Sequence, residues 1–394
     1  RYEVAQDVAA ALERERGGEV RMGSVQAMFP SITEMGMPAL LPHQGMTLNV
    51  ETGAVLLDGM PTGSTVDRQA VLQAAAPTGR ALSAAAYLDM PAADRKELLK
   101  SSEIVYLYHN KIDATGEKLA TESDVFDACA ETVDELVSIA KRVCTDAPGA
   151  RVTITSDHGF LYTANELPEC LFLGKNDLPD DPVLFGKRHA VVAQSDALAD
   201  IANGADGSSY LAMSMDHVVP GGGYVGLAPR GIVHYRRPGG TKRYVHGGVS
   251  LQELVVPVIG YRRLSASSKE FVDTQTAQLR VLSESRRVTN SLFGIKLLQD
   301  EAATGKVLPC EYELVFTDET GNEVSDVARV HADMTSPNPQ DRVVEARFTL
   351  KTGVSFGSGS THLLVCRDAR SGKIVWRETY TIAVSFAPVA DFGF

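Results

Sequence analysis

The stretch Val152-Thr153-Ile154-Thr155-Ser156-Asp157-His158-Gly159-Phe160 constrains this chain most. β-Branched residues favour a short strand beginning near Val152. The strand runs into an adjacent Asp and His, and Gly159 then turns the chain away. Open α/β sheets place their chemistry just beyond the carboxyl ends of their strands. An anionic oxygen beside an imidazole nitrogen is a ligand mixture that suits zinc or manganese. A helix-capping Asp followed by a turn His is the ordinary alternative, and the dipeptide alone does not decide between the two.

Neighbouring segments repeat the pattern. Residues 104–108 read as a buried strand that ends in His109-Asn110-Lys111-Ile112-Asp113, so a His and a carboxylate again follow a strand end. Residues 121–144 predict one long amphipathic helix, with Val125, Cys129, Val133, Leu136, Val137, Ala140 and Val143 along one side. Strand, helix, strand with apolar strands predicts a parallel sheet with right-handed crossovers. Residues 1–12 carry apolar side chains at helical spacing and stop at Gly17-Gly18. Such a helix ordinarily follows a strand, so the chain is expected to begin inside a domain. Residues 46–57 predict a hairpin turning at Thr52-Gly53, and 64–100 a mostly helical stretch. Beyond Phe160, Pro168, Pro179, Pro182 and Pro220-Gly221-Gly222-Gly223 mark loops separated by short strands such as 190–193.

Composition narrows the class of function. A formal net charge of −12 argues against a surface that coats nucleic acid, while leaving room for a local basic groove. No run approaches the roughly 18–20 apolar residues of a membrane span. No signal-peptide pattern opens the chain. The expectation is a cytoplasmic protein with no membrane partner. The five cysteines (129, 144, 170, 310, 366) lack the spacing of a disulfide framework, and their apolar neighbours predict buried free thiols.

Three further stretches carry candidate chemistry. Pro30-Ser31-Ile32-Thr33-Glu34-Met35 places hydroxyls on a turn before a short apolar helix. A cap is the commoner use of such a hydroxyl; the functional reading is a nucleophile whose negative charge the helix start favours. Arg230, Arg236, Arg237, Lys242 and Arg243 form a basic cluster, either a solvated hairpin or a grip for the non-reacting part of a phosphodiester or nucleotide. In Val245-His246-Gly247-Gly248-Val249-Ser250 a His stands on a Gly-rich turn before a capped apolar segment. A Gly pair permits close backbone approach, so His246 can face a shared pocket.

Arg1-Tyr2-Glu3-Val4-Ala5, residues 29–42, residues 108–118, Thr155–Tyr162 and residues 244–259 stand in one characteristic order. In that order they resemble the PglZ domain, a branch of the alkaline-phosphatase superfamily found in BREX-type bacterial phage-defence systems. The likeness covers about 1–263, and Ala390-Asp391-Phe392-Gly393-Phe394 resembles the C-terminus of the type-1 members. It implies an α/β fold, an alkaline-phosphatase-like sheet with helices on both faces. It also implies two divalent metals around a hydroxyl nucleophile, with zinc first and manganese or magnesium as alternatives. Thr33 matches the nucleophile, ahead of Ser31. Asp157 and His158 match ligands of the metal that activates it, and Asp113 and His246 match ligands of the other. Where phosphodiesterase relatives carry a His four residues after that Asp, this chain has Glu117, a harder ligand that brings manganese or magnesium level with zinc. His109 is the weaker candidate for that place. The family's remaining Asp ligand, in an Asp-Ala-Leu run, falls upstream of Arg1. Its strand is then missing from the sheet, and weak or empty occupancy of the nucleophile-side site is expected.

The implied function is a metal-dependent phosphoesterase of phage defence, acting on phosphomonoesters, on phosphodiesters such as nucleotides, or on nucleic-acid ends. Arg236, Arg237, Lys242 and Arg243 would contact the substrate phosphate, with Lys118 and Arg1 as weaker candidates. The alternative is a non-catalytic scaffold that docks the defence methyltransferase or ATPase.

After Arg263, Ser265-Ala266-Ser267-Ser268 reads as a linker. It divides a catalytic domain, 1–263, from a second domain, 264–394. The second shows alternating patterns at 278–282, 291–298, 311–317, 344–351, 362–367, 374–379 and 381–386, with turns at 318–322 and 368–373. Strands at that density predict an immunoglobulin-like β-sandwich, a docking module with no catalytic constellation.

Overall fold

In the computed structural model, the strand that ends at Asp157-His158 belongs to a three-stranded antiparallel ladder. The structure describes residues 1–174, 178, 181–194, 209–237, 239, 241–354, 356 and 360–384. They fall into two units, Arg1–Leu12 with Gly18–Ser265, and Glu13–Gly17 with the residues from Ala266 onward.

In the first unit, helix α1 (Tyr2–Glu13) buries Ala5, Val8, Ala9 and Leu12. Strand β1 (Gly18–Gln26) and helix α2 (Thr33–Ala39) follow. The hairpin Met46–Leu48/Val55–Leu57 turns as expected, with Gly53 at φ +71°. Helix Thr65–Ala75, strand β2 (Arg80–Ser83), helices Ala84–Asp89 and Ala92–Ser101, strand β3 (Val105–Tyr108) and helix α3 (Lys111–Gly116) come next. Helix α4 (Val125–Asp146) leads into strand β4 (Arg151–Thr155). After an irregular stretch come strand β5 (Tyr244–Val245), the single-turn helix α5 (Leu251–Leu254) and strand β6 (Val255–Arg263).

Strand β6 lies between β1 and β4 and is antiparallel to both, with Ile259 opposite Met22 on one side and Ile154 on the other. Val20, Met22, Val152, Ile154, Ile259 and Tyr261 then share one face. Ala5, Val8, Ala9 and Leu12 of α1 and Ala140 and Cys144 of α4 pack onto that face. The stripe of α4 residues seen in the sequence is what buries it.

Two expectations are corrected here. The strands flanking α4 do not form one parallel ladder: β3 pairs in parallel with β2, whereas β4 pairs antiparallel with β6. An apolar strand announces burial but carries no mark of which strand lies beside it. Among the described residues, helices also do not cover both faces of the β1–β6–β4 sheet: Arg21, Arg151, Thr153 and Thr155 on the opposite face are exposed. The alternation Val-Thr-Ile-Thr is the pattern of a sheet buried on one side only.

In the second unit a three-stranded sheet (Leu279–Val281, Leu292–Gln299, Val343–Thr349) shares a core with a five-stranded one. The larger sheet is built from Arg287–Val288, Ile374–Ile382, Ser360–Asp368, Cys310–Thr317 and Ala328–Ala332. Leu297 and Phe348 on one sheet meet Leu314, Phe316, Leu364 and Tyr380 on the other. The two strands expected at 374–379 and 381–386 are one continuous strand to Ile382. Strand Ala328–Ala332, which carries His331, forms the edge of the five-stranded sheet. Residues 390–394 lie outside the described residues. All five cysteines are free; Cys129, Cys144 and Cys366 are buried, but Cys170 is exposed, contrary to the expectation. No helix among the described residues is long and apolar enough to cross a membrane.

Leu12 is 0% exposed between α4 and the sheet. Leu12→Ala is expected to lower the unfolding free energy by about 2–5 kcal/mol. Thr153→Ala, on the open face, is expected to change it by less than about 0.5 kcal/mol. Urea titration of both variants checks this.

Candidate metal centre

Strand β4 delivers Asp157 and His158 to a corner where Gly159 N–H donates to the Glu253 carbonyl at 2.9 Å. His158 is 3% exposed. Its Nδ1 lies 2.9 Å from the Gly159 carbonyl, a pure acceptor, which places the proton on Nδ1 and leaves the Nε2 lone pair outward. A ligating His is held in this way, by a backbone carbonyl on its other nitrogen. Thr33 Oγ1 lies 3.1 Å from Nε2, so the hydroxyl donates to it. Asp157 Oδ2 is buried, has no hydrogen-bond partner and stands 3.6 Å from His158 Nε2. A buried carboxylate oxygen without a partner carries a desolvation cost that a cation would offset.

Thr33 arrives on α2. The helix N-cap is Ile32, and no side-chain cap bond forms, so the capping use of Thr33 is not what this structure shows. Gly36 lets α2 rest on the corner: a Cβ there would lie 2.3 Å from the Asp157 carbonyl oxygen. Ser31 is fully buried and committed, donating to the Gly248 carbonyl at 2.8 Å and accepting from Gly247 N–H at 3.1 Å. Thr33 is therefore the hydroxyl that faces His158.

Helix α3 brings Asp113 to the same corner. Asp113, Asp157 and His158 each offer a ligand atom within 4.8 Å of the others. Ligands of one tetrahedral zinc lie about 3.4 Å apart, given zinc–ligand bonds of about 2.1 Å. Small side-chain movements close that difference, so the donor set fits a divalent cation. The His246 ring stacks on His158, with centroids 4.1 Å apart and planes 9° from parallel. His246 Nδ1 meets the Ser31 carbonyl at 3.2 Å, and Nε2 meets Glu117 Oε1 at 3.1 Å. Burial pushes the His246 pKa down, but Glu117, Asp113 and the Ser31 carbonyl outweigh it and leave the imidazole above its ordinary value. Thr33, Asp113, Glu117, Asp157, His158 and His246 thus meet at one corner.

The basic residues are engaged elsewhere. Arg236 pairs with Glu169, Lys242 with Glu166, and Arg237 donates to the Phe185 carbonyl. Arg243 is held through its backbone N–H by Glu122. None of these partners belongs to the corner. His109 pairs with Glu135 at 2.7 Å and leaves the Glu117 position to Glu117. Arg1 pairs with Glu3 and lies over the Phe160 ring. Lys118 is exposed.

Residues with no sequence expectation hold the corner in place. Glu253, 0% exposed, accepts from Gly248 N–H at 2.8 Å, Ser250 N–H at 3.1 Å and the Ser250 hydroxyl at 2.7 Å. Arg188, 1% exposed, binds it through two nitrogens at 2.9 and 3.2 Å. Ser250-x-x-Glu253 is a capping box, so Glu253 had a readable signal. Arg188 had none, because Lys187-Arg188-His189 reads as a solvated basic patch. Arg188→Ala strands the Glu253 charge in the interior. It is expected to cost about 3–5 kcal/mol of stability, measured as a lowered urea midpoint.

Comparison with known proteins identifies the family. A family model described as the BREX system PglZ alkaline phosphatase-like domain matches residues 1–261. The alkaline phosphatase-like protein PglZ of Bacillus cereus (strain H3081.97) is 31% identical over 399 residues, covering all of this chain and 45% of that protein. The alkaline phosphatase-like protein BrxZ of Escherichia coli O9:H4 (strain HS) is 27% identical, covering all of this chain and 44% of its own length. The chain thus spans less than half the length of these relatives. Two structures of murine ectonucleotide pyrophosphatase/phosphodiesterase 5 match with TM-score 0.42 at 10% and 12% identity, over 66% of this chain and 85% of theirs. On the family match and the identity over its whole length, the chain belongs to the PglZ family of BREX alkaline phosphatase-like proteins.

Proposed function

We propose that the first unit is the catalytic domain of a metal-dependent phosphoesterase of a BREX phage-defence system. The observation that carries this reading is the Thr33 hydroxyl, 3.1 Å from His158, beside three ligand groups and an unpartnered Asp157 oxygen. Asp157 and His158 with Thr33, and Asp113, Glu117 and His246, are the residues that would hold two divalent cations, zinc first. Bound there, such cations lower the hydroxyl pKa and neutralise charge on the phosphoryl oxygens.

The chain's own residues supply the rest. His158 Nε2 accepts from the Thr33 hydroxyl in this structure, which places Oγ1 beside the ligand atoms that would hold the cation. Attack by Oγ1, whose proton passes to solvent, forms a Thr33 O–P bond as the bond to the leaving alcohol breaks; in a second step water breaks the O–P bond, its oxygen going to phosphorus and a proton back to Oγ1. The leaving oxygen takes a proton from solvent. A phosphodiester or nucleotide is the substrate class we favour. Arg243, three residues before His246, is the basic residue we assign to its distal part. The all-β unit is read as an immunoglobulin-like module that docks the defence methyltransferase or its companions in the cytoplasm.

Hydrolysis of a nitrophenyl phosphoester tests the reading. Turnover is expected to vanish with EDTA, to return with zinc or manganese, and to fall by at least roughly a thousandfold in Thr33→Ala. Wild-type turnover in Thr33→Ala would remove the covalent route. A chain that neither binds metal nor turns over would favour the scaffold.

A further inference from the structure

Two buried groups take no part in the chemistry above, yet both reach the segments that carry Asp113 and His246. Glu122, 6% exposed, sits in the turn Glu122–Asp124 between α3 and α4. One of its oxygens accepts from three successive backbone N–H groups, those of Lys242 at 2.8 Å, Arg243 at 2.9 Å and Tyr244 at 3.4 Å. Charge-assisted bonds of this kind are stronger than neutral ones. They join the connection after α3 to the loop that leads to His246.

Tyr244 is the second group. It is 1% exposed, and its hydroxyl donates to Asp113 Oδ1. Its ring packs on Phe160 at 4.6 Å between centroids, beside Val125 and Cys129. A Cβ at Gly116 would lie 2.5 Å from a Tyr244 ring carbon, so only glycine lets α3 sit this close. The ring is thus wedged in one orientation. A carboxylate oxygen only accepts, so the phenol O–H is the donor in this pair.

We propose that Tyr244 and Glu122 are positioning residues for the cation held by Asp113, Glu117 and His246. A carboxylate ligand must turn a chosen oxygen toward its ion, and Tyr244 does this by occupying Oδ1 and leaving the second oxygen for the cation. Glu122 sets the place of the loop that carries Tyr244 and, two residues on, His246. The inference rests on the metal site of the phosphoesterase reading, and groups in this supporting role govern metal affinity as well as activity.

The test is zinc affinity of the full chain, read by competition with a zinc-binding dye, with circular dichroism and thermal melting to monitor folding. Tyr244→Phe removes the hydroxyl and keeps the ring. Its zinc affinity is expected to fall roughly 10–100-fold, with the metal-free spectrum and melting unchanged. Glu122→Ala is expected to weaken zinc similarly, and Glu122→Gln, which retains an acceptor oxygen, to recover most of the loss. Wild-type affinity in both Tyr244→Phe and Glu122→Ala overturns the inference and leaves the phosphoesterase reading standing. A wild-type chain that takes up no zinc overturns both.

Discussion

The buried carboxylate of Glu253 is the constraint on which the rest of the site depends. It receives the Arg188 guanidinium, two backbone N–H groups and the Ser250 hydroxyl, while the backbone carbonyl of the same residue receives Gly159 N–H. The end of β4 and the loop after β5 are thereby fastened at a single residue. Removing both charges from water is costly, and the cost is offset only because the lone pairs find donors. What results is one permitted arrangement of Gly247, Gly248 and His246 beside Asp157 and His158. Net stability is a smaller part of the outcome.

The sheet supplies the frame for that arrangement. Strand β6 continues directly from α5 and pairs with β4, so the Asp157–His158 end of β4 and the Glu253 turn lie side by side by register. Helices α1 and α4 pack on one face of the sheet, and α2 and α3 reach that end of β4. Gly36 brings α2 against Asp157, Gly116 brings α3 against Tyr244, and Ser31 ties the α2 entry to the His246 loop. The catalytic reading follows from these approaches: a hydroxyl, two imidazoles and three carboxylates occupy one corner, and an oxygen of one carboxylate is left without a partner.

Parts of this were legible in the sequence because their chemistry is local. Asp157-His158 after a β-branched run, a His beside a Gly pair, and a hydroxyl before an apolar helix are patterns of adjacent residues. The α4 stripe and the Gly53 turn are legible for the same reason. Pairing is not local. Nothing in Val255-Val256-Pro257-Val258-Ile259 says that β4 will lie beside it, or that the ladder will run antiparallel. Glu122, within Thr121-Glu122-Ser123-Asp124, looks like a surface acid, and only the return of the chain at 242–244 buries it. The basic cluster shows the same limit: Glu166 and Glu169, which engage Lys242 and Arg236, lie about seventy residues away in the chain.

The central claim is that one corner of the first unit binds divalent cations. Anomalous diffraction at the zinc edge, from crystals of the chain grown with zinc, tests it most directly. The account predicts a peak bounded by Asp113, Glu117 and His246, and a weaker one bounded by Asp157 and His158 with Thr33, with Asp157 Oδ2 turned toward the density. Zinc found only at surface histidines, with the corner empty and Asp157 Oδ2 still unpartnered, would contradict it.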